Sequence, residues 1–159
     1  MSFAFPRILL ASASPRRREL LQQIGVEHEV LPVDVDETPQ PGEDPAALAL
    51  RLARTKALEG RRRDGGSRPV LGSDTVVAVG GTVYGKPADR DDAIRMLTAL
   101  GGRVHQVLTA VALAPAGEGP VREAISVTEV RMRAIDAGLA GAYWDTGEPA
   151  GKAGAYAIQ

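Results

Sequence analysis

Two serines, a proline and two arginines stand together at Ser12-Ala13-Ser14-Pro15-Arg16-Arg17, at the end of an apolar strand pattern that runs from Arg7 to Ala13. Pro15 suits the first position of a helix and Ser14 the N-cap before it. Backbone N–H groups at that helix start, two hydroxyls and two guanidinium forks would together make an anion site. The same residues would also serve as a plain cap on a helix with an exposed basic face. Arginines beside the positive end of a helix dipole repel it unless an anion is present, which favours the anion site.

Asp74 is the second candidate, because it interrupts Val70-Leu71-Gly72-Ser73-Asp74-Thr75-Val76-Val77, a run that otherwise reads as a buried strand. Burying a carboxylate costs several kcal/mol unless a cation or hydrogen-bond donors meet it. A divalent metal carrying a triphosphate would satisfy it, with Glu37 of the acidic loop Asp34 to Asp44 as a second ligand, and oxygen donors suit Mg²⁺ or Mn²⁺. Lys56 follows Leu52 by four residues and Ala49 by seven, on the apolar side of its helix, so it either snorkels to water or points into a cleft. Gly80-Gly81-Thr82-Val83-Tyr84-Gly85-Lys86-Pro87 begins like a P-loop, but Pro87 stands where the Mg²⁺-binding hydroxyl is required and also lacks an N–H. The P-loop is rejected and Lys86 kept as a phosphate contact. His28 and His105 have no ligand spacing, which argues against a metal role.

Composition narrows the class. Of 19 basic residues only Lys56, Lys86 and Lys152 are lysine, which marks them as candidates for point-charge chemistry in a chain that otherwise uses arginine. A net charge of -1 argues against nucleic-acid and polybasic membrane partners, so the expected partner is a small molecule. The absence of cysteine excludes disulfides, thiolate nucleophiles and Cys-ligated metals, and fits a cytoplasmic location. No basic n-region precedes the N-terminal apolar stretch, and no segment reaches the length of a membrane span.

The elements that must position these residues alternate along the chain. After the strand at Arg7 to Ala13, a helix carries Leu20, Leu21 and Ile24 on one face, and Gly25 closes it. A weak strand at Glu27 to Val33 leads into the acidic loop, and Asp44-Pro45 opens a helix to about Glu59. Arg61 to Arg68 reads as a solvated connection. Pro69 to Val79 is a strand, turned by Gly80-Gly81 into Thr82 to Tyr84. A helix over Asp89 to Leu100 precedes a long hairpin of Arg103 to Leu113 and Val121 to Arg133. A last helix near Ile135 to Asp145 is followed by a Gly-rich segment to Gln159. With 159 residues this is one domain, α/β with a mixed sheet.

The segments Leu10 to Arg17, Gly72 to Val77, Gly85-Lys86-Pro87 and Lys152-Ala153-Gly154-Ala155-Tyr156-Ala157-Ile158-Gln159 together resemble the Maf family of nucleoside triphosphate pyrophosphatases, in order and over essentially the whole chain. The resemblance implies an elongated mixed β-sheet flanked by helices, with two lobes and a central cleft, akin to the inosine triphosphate pyrophosphatases. It implies metal-dependent hydrolysis between the α and β phosphates, with Asp74 as proton acceptor for the attacking water and Glu37 assisting the metal. Ser12, Arg16, Lys56 and Lys86 would hold phosphate charge. Such roles suit a displacement that gains chiefly from positioning and from well-placed cations. Arg17, Thr75 and Gln159 resemble the branch acting on dTTP and UTP, at positions associated with base selection, and the stretch His105-Gln106-Val107-Leu108-Thr109 resembles that branch too. The resemblance also implies a homodimer.

One departure stands out, because family members continue past the Ala-Tyr-x-Ile-Gln segment into a further strand region and closing helix. The expectation is therefore a single domain over 1–159 that lacks that C-terminal region. A competing expectation is a non-catalytic nucleotide-binding regulator of cell division, such as a septum-formation inhibitor.

Overall fold

The computed structural model describes residues 6–158, and Gln159 lies outside the described residues. The elements are β1 (Ile8–Leu10), α1 (Pro15–Gln23), β2 (His28–Val30), α2 (Pro45–Arg63), β3 (Val70–Val79), β4 (Thr82–Tyr84), α3 (Arg90–Leu100), β5 (Val104–Ala114), β6 (Arg122–Arg131) and α4 (Ala137–Asp145). The strands form one sheet in the order β2-β1-β3-β5-β6, with β4 paired to β3. β1 is parallel to β2 and to β3, whereas β4 is antiparallel to β3, which makes the sheet mixed as expected. The parallel β1 and β3 pair requires a crossover, and α2 lies within it.

Two compact units are distinguished. The first gathers the chain up to Glu43, Ala47–Asp74 and Ala110–Ile125, and the second Asp44–Ala46, Thr75–Thr109 and the chain from Ser126. In the first unit, Leu48, Ala49, Leu52, Ala53, Ala57 and Gly60 form the buried stripe of α2, at the three- and four-residue spacing of a helix face. Leu9, Leu10, Ala11 and Val70 of β1, its C-terminal extension and β3 are also buried. Gly72 lets the helix approach β3 backbone to backbone, because a Cβ there would lie 2.2 Å from the Ala53 carbonyl oxygen and 2.6 Å from the Ala57 nitrogen. In the second unit, Ala93, Met96 and Leu97 of α3 bury against Ala140 of α4, with Tyr84, Trp144 and Tyr156 packed around them. Asp89 and Asp136 cap α3 and α4 by accepting from the N–H groups of Asp92 (2.9 Å) and Leu139 (2.8 Å).

Three expectations change. α1 buries only Leu21, while Leu20 and Ile24 are 45% and 70% exposed, since so short a helix presents a narrow stripe to its neighbours. α2 continues to Arg63 instead of stopping near Glu59. Glu59 pairs with Arg62 and Arg63 along the helix, and cations in the last turn complement the dipole. What reads as a solvated basic connection is thus partly helical, and Arg61 reaches the Gly119 carbonyl at 3.2 Å.

Candidate active site

Lys56 does not snorkel. Its Nζ lies 2.6 Å from Asp74 Oδ1 and 2.8 Å from Glu37 Oε1, so α2, β3 and the acidic loop converge on one ammonium. Lys56 and Asp74 are each only 7% exposed, while the Glu37 side chain keeps 42% of its surface. Asp74 therefore sits inside the buried strand, not at a solvent-facing end. The close approach allowed by Gly72 brings α2 onto the stretch of β3 that carries Asp74, two residues further on.

The loop carrying Glu37 is turned locally around that residue and fastened to α2 just after it. Asp36 accepts from the Thr38 N–H at 2.9 Å, and Arg51 of α2 donates to the Thr38 carbonyl at 3.1 Å. The same guanidinium grips Glu43 through both carboxylate oxygens, at 2.6 and 2.9 Å. At the start of α1, Ser14 caps the helix by accepting from the Arg17 N–H. Arg17 Nη1 and the Ser14 N–H both donate to Ser12 Oγ, at 3.1 and 3.2 Å. Arg16 faces the other way and pairs with Glu19 on the exposed surface.

Burial pushes the Asp74 carboxyl above its ordinary range, and the Lys56 ammonium pulls against that shift. Burial likewise lowers the Arg17 guanidinium, opposed by the fields of Asp74 and Glu37. Desolvation makes a carboxylate a better proton acceptor than a solvated one, while the neighbouring cations offset part of that gain and keep the buried charge tolerable. Glu37 and Asp74 already share one cation, which tests their fit to a second: two convergent carboxylate oxygens suit a hard divalent ion. Among the described residues no group of three His, Cys, Asp or Glu side chains could hold a metal. Such an ion would then take its remaining ligands from substrate and water, the habit of Mg²⁺ at phosphates.

Thr75, Lys86 and the segment leading to Gln159 belong to the second unit. Thr75 Oγ1 lies 3.2 Å from Thr109 Oγ1. Lys86 is exposed on a turn whose Gly85 carbonyl accepts from the Gly154 N–H at 3.0 Å. Lys152 donates to the Glu148 carbonyl in an exposed turn, so lysine scarcity singles out Lys56 more usefully than Lys152. His28 hydrogen-bonds the Val26 carbonyl, and His105 is buried against Tyr156.

The close-approach role of Gly72 and the hold of Arg51 on the acidic loop escape a reading by motif, although Gly72 lies within the Gly72 to Val77 segment. Glycine within a strand pattern signals close backbone approach and could have marked the first. Arg51 carries no local signal, since Thr38 and Glu43 lie in the loop before its helix.

Comparison with known proteins follows the same lines. The family described as "Maf-like protein" matches residues 7–159. A dTTP/UTP pyrophosphatase of Bordetella parapertussis is 52% identical over 97% of this chain and 77% of its own length. A protein of the same name from Xanthomonas campestris pv. campestris is 52% identical over 96% of this chain and 81% of its own. In structure, the Staphylococcus aureus Ham1 protein aligns with a TM-score of 0.56 at 15% identity, over 79% of this chain and 71% of its own. A nucleoside-triphosphatase / dITP/XTP pyrophosphatase from Mycobacterium abscessus aligns with a TM-score of 0.52 at 22% identity, over 79% and 73%. These two likenesses concern the fold.

Proposed function

The chain belongs to the Maf-like protein family, and on that premise we propose that it hydrolyses nucleoside triphosphates, dTTP and UTP foremost, to the monophosphate and pyrophosphate. The observation that carries this reading is the buried Lys56 ammonium held between Asp74 and Glu37, in the same unit as the Ser12 to Arg17 anion grip.

In this reading Asp74 accepts a proton from water as the water oxygen bonds to phosphorus and the bond to the bridging oxygen breaks. The raised basicity of Asp74 supports that role. Lys56 offsets negative charge that develops on the phosphate oxygens, from a position already paid for in desolvation by its pairing with the two carboxylates. A Mg²⁺ or Mn²⁺ ion on Glu37 and Asp74 would neutralise the triphosphate and polarise the scissile bond. Ser12, Arg16 and Lys86 as phosphate contacts, and Arg17, Thr75 and Gln159 as base-selecting contacts, rest on motif resemblance. Arg17 has further support in its bond to Ser12 and its electrostatic coupling to Asp74 and Glu37.

The proposal extends to a cytoplasmic location, supported by the cysteine-free composition, to a homodimer, by resemblance, and to the absence of nucleic-acid and membrane partners, supported by the near-neutral charge. No helix among the described residues is long and apolar enough to cross a membrane. The test is a panel of triphosphates assayed with Mg²⁺ or Mn²⁺, with phosphate and pyrophosphate detected separately. Pyrophosphate from dTTP and UTP is expected. Single phosphates would move the protein to a phosphatase class, and binding without turnover would favour a nucleotide-sensing regulator.

A further inference from the structure

We propose that one face of β5 is a positioning strip for base selection, on which His105 anchors, through Tyr156, the segment leading to Gln159, and Thr109 orients the Thr75 hydroxyl. The proposal rests on the reading in which Thr75 and Gln159 contact the base, and it adds residues to that reading. His105 and Thr109 are four apart on a strand, so their side chains leave the same face.

His105 is 2% exposed, and its Nε2 lies 2.6 Å from the Tyr156 hydroxyl, with the rings edge to face at 5.5 Å. Its Nδ1 is buried with no hydrogen-bond partner among the described residues. An imidazole with one nitrogen unpaired in the interior costs stability, so the position is poorly explained by stability alone. What the ring does hold is Tyr156, three residues before Gln159 in the chain.

That segment is fixed elsewhere too. The Ala157 N–H donates to the Tyr143 hydroxyl at 3.1 Å, and the Gly154 N–H to the Gly85 carbonyl at 3.0 Å. Gly154 has φ +71° with Val77 closing the space where a Cβ would go, and Ala155 holds φ +61°, an unfavourable value for a residue with a side chain. Backbone held so firmly in a sparsely populated conformation is a feature of binding segments. The Gly85 tether adds the turn bearing Lys86 to the same fixed set. At the other end of the strip, Thr109 faces Thr75 hydroxyl to hydroxyl at 3.2 Å, which limits the rotamers of the group proposed to read a base edge.

The experiment compares kcat/KM for dTTP and dCTP in the wild-type protein and in Tyr156→Phe and Thr109→Val. Tyr156→Phe removes the bond to His105 while leaving the buried imidazole in place, and Thr109→Val removes the hydroxyl at nearly constant volume. Each variant should lower the dTTP to dCTP ratio about three- to tenfold, the effect of one hydrogen bond, chiefly by raising KM for dTTP. Thr109→Ser should restore the ratio. Thermal unfolding identifies any variant that has lost its fold, and a folded variant with an unmoved ratio overturns the strip. A wild-type protein that hydrolyses no triphosphate overturns the pyrophosphatase reading and this proposal with it, an outcome separable by inspection of the wild type alone.

Discussion

Lys56 Nζ lies 2.6 Å from Asp74 Oδ1, with both side chains almost closed to solvent and Glu37 completing the group at 2.8 Å. Two carboxylates on one ammonium leave the cluster one negative charge in excess, and Arg17, coupled to both acids, balances it. Removing a single member leaves a buried charge uncompensated, whereas removing a matched pair does not.

Lys56→Met should therefore abolish turnover and cost about 3 kcal/mol of stability at neutral pH. The deficit should shrink as pH falls. Burial already raises the Asp74 carboxyl, loss of the ammonium raises it further, and a group whose folded pKa exceeds its unfolded value stabilises the fold once protonated. Urea unfolding of variant and wild type at several pH values measures this difference. Adding Asp74→Asn to Lys56→Met should recover stability without activity, and a deficit independent of pH would contradict the account.

Gly72→Ala places a methyl carbon 2.2 Å from the Ala53 carbonyl oxygen, a backbone contact that no side-chain rotation relieves. Helix α2 must then move off β3, which separates Lys56 from Asp74. A loss of more than about 3 kcal/mol is expected, in the range of severe core overpacking, together with loss of activity beyond what the remaining folded fraction explains. Circular dichroism melts with activity normalised to folded protein make the check.

How much of this was legible depends on the range of each signal. The strand and turn at Val70 to Tyr84, and the capped start of α1 at Ser14-Pro15, follow from local chemistry and stand in the fold where the sequence places them. Asp74 was legible as an anomaly, a charge in an apolar run. The direction of Lys56 was not, because a helical lysine beside apolar residues can snorkel or turn inward, and only the partner on the strand it packs against decides. The exposure of Leu20 and Ile24 was hidden for the same reason, since apolar spacing marks a face without saying how much of it is covered. The grip of Arg51 on Thr38 and Glu43 joins a helix to a loop many residues earlier, and periodicity carries no such information.

That grip also shapes the acid limb of stability. Hydrogen bonds from Arg51 hold Glu43 at about 2, and those from Arg62 and Arg63 hold Glu59 at about 2, both below the usual 4.5. Groups depressed in the fold stabilise it above their unfolded value, and that contribution disappears as pH drops from about 4.5 towards 2. Asp74, raised instead, acts in the opposite sense. Glu43→Gln should lower Tm at pH 6 and converge with wild type near pH 2. It should also raise KM, because the loop that presents Glu37 loses one of its ties to α2. An equal Tm deficit at both pH values would show that Glu43 stabilises by packing instead of charge.

The two neighbouring arginines of the proposed anion site should separate cleanly on exchange for lysine. Arg17 is partly buried, donates to Ser12 at 3.1 Å and is coupled to Asp74 and Glu37, so its planar fork is in use and an ammonium cannot reproduce it. Arg16 is exposed and engaged with Glu19 through an exposed i,i+3 pair of little net strength, leaving it free to meet a phosphate as a point charge that lysine supplies as well. Arg17→Lys should lower kcat/KM for dTTP about tenfold or more, the loss of one or two charge-assisted hydrogen bonds, while Arg16→Lys stays within about threefold of wild type. Raising salt should weaken substrate binding in the wild type and in Arg16→Lys alike, since the exposed charge is retained. Steady-state kinetics on the two variants decide it, and equal small losses would reduce Arg17 to a generic cation at the helix start.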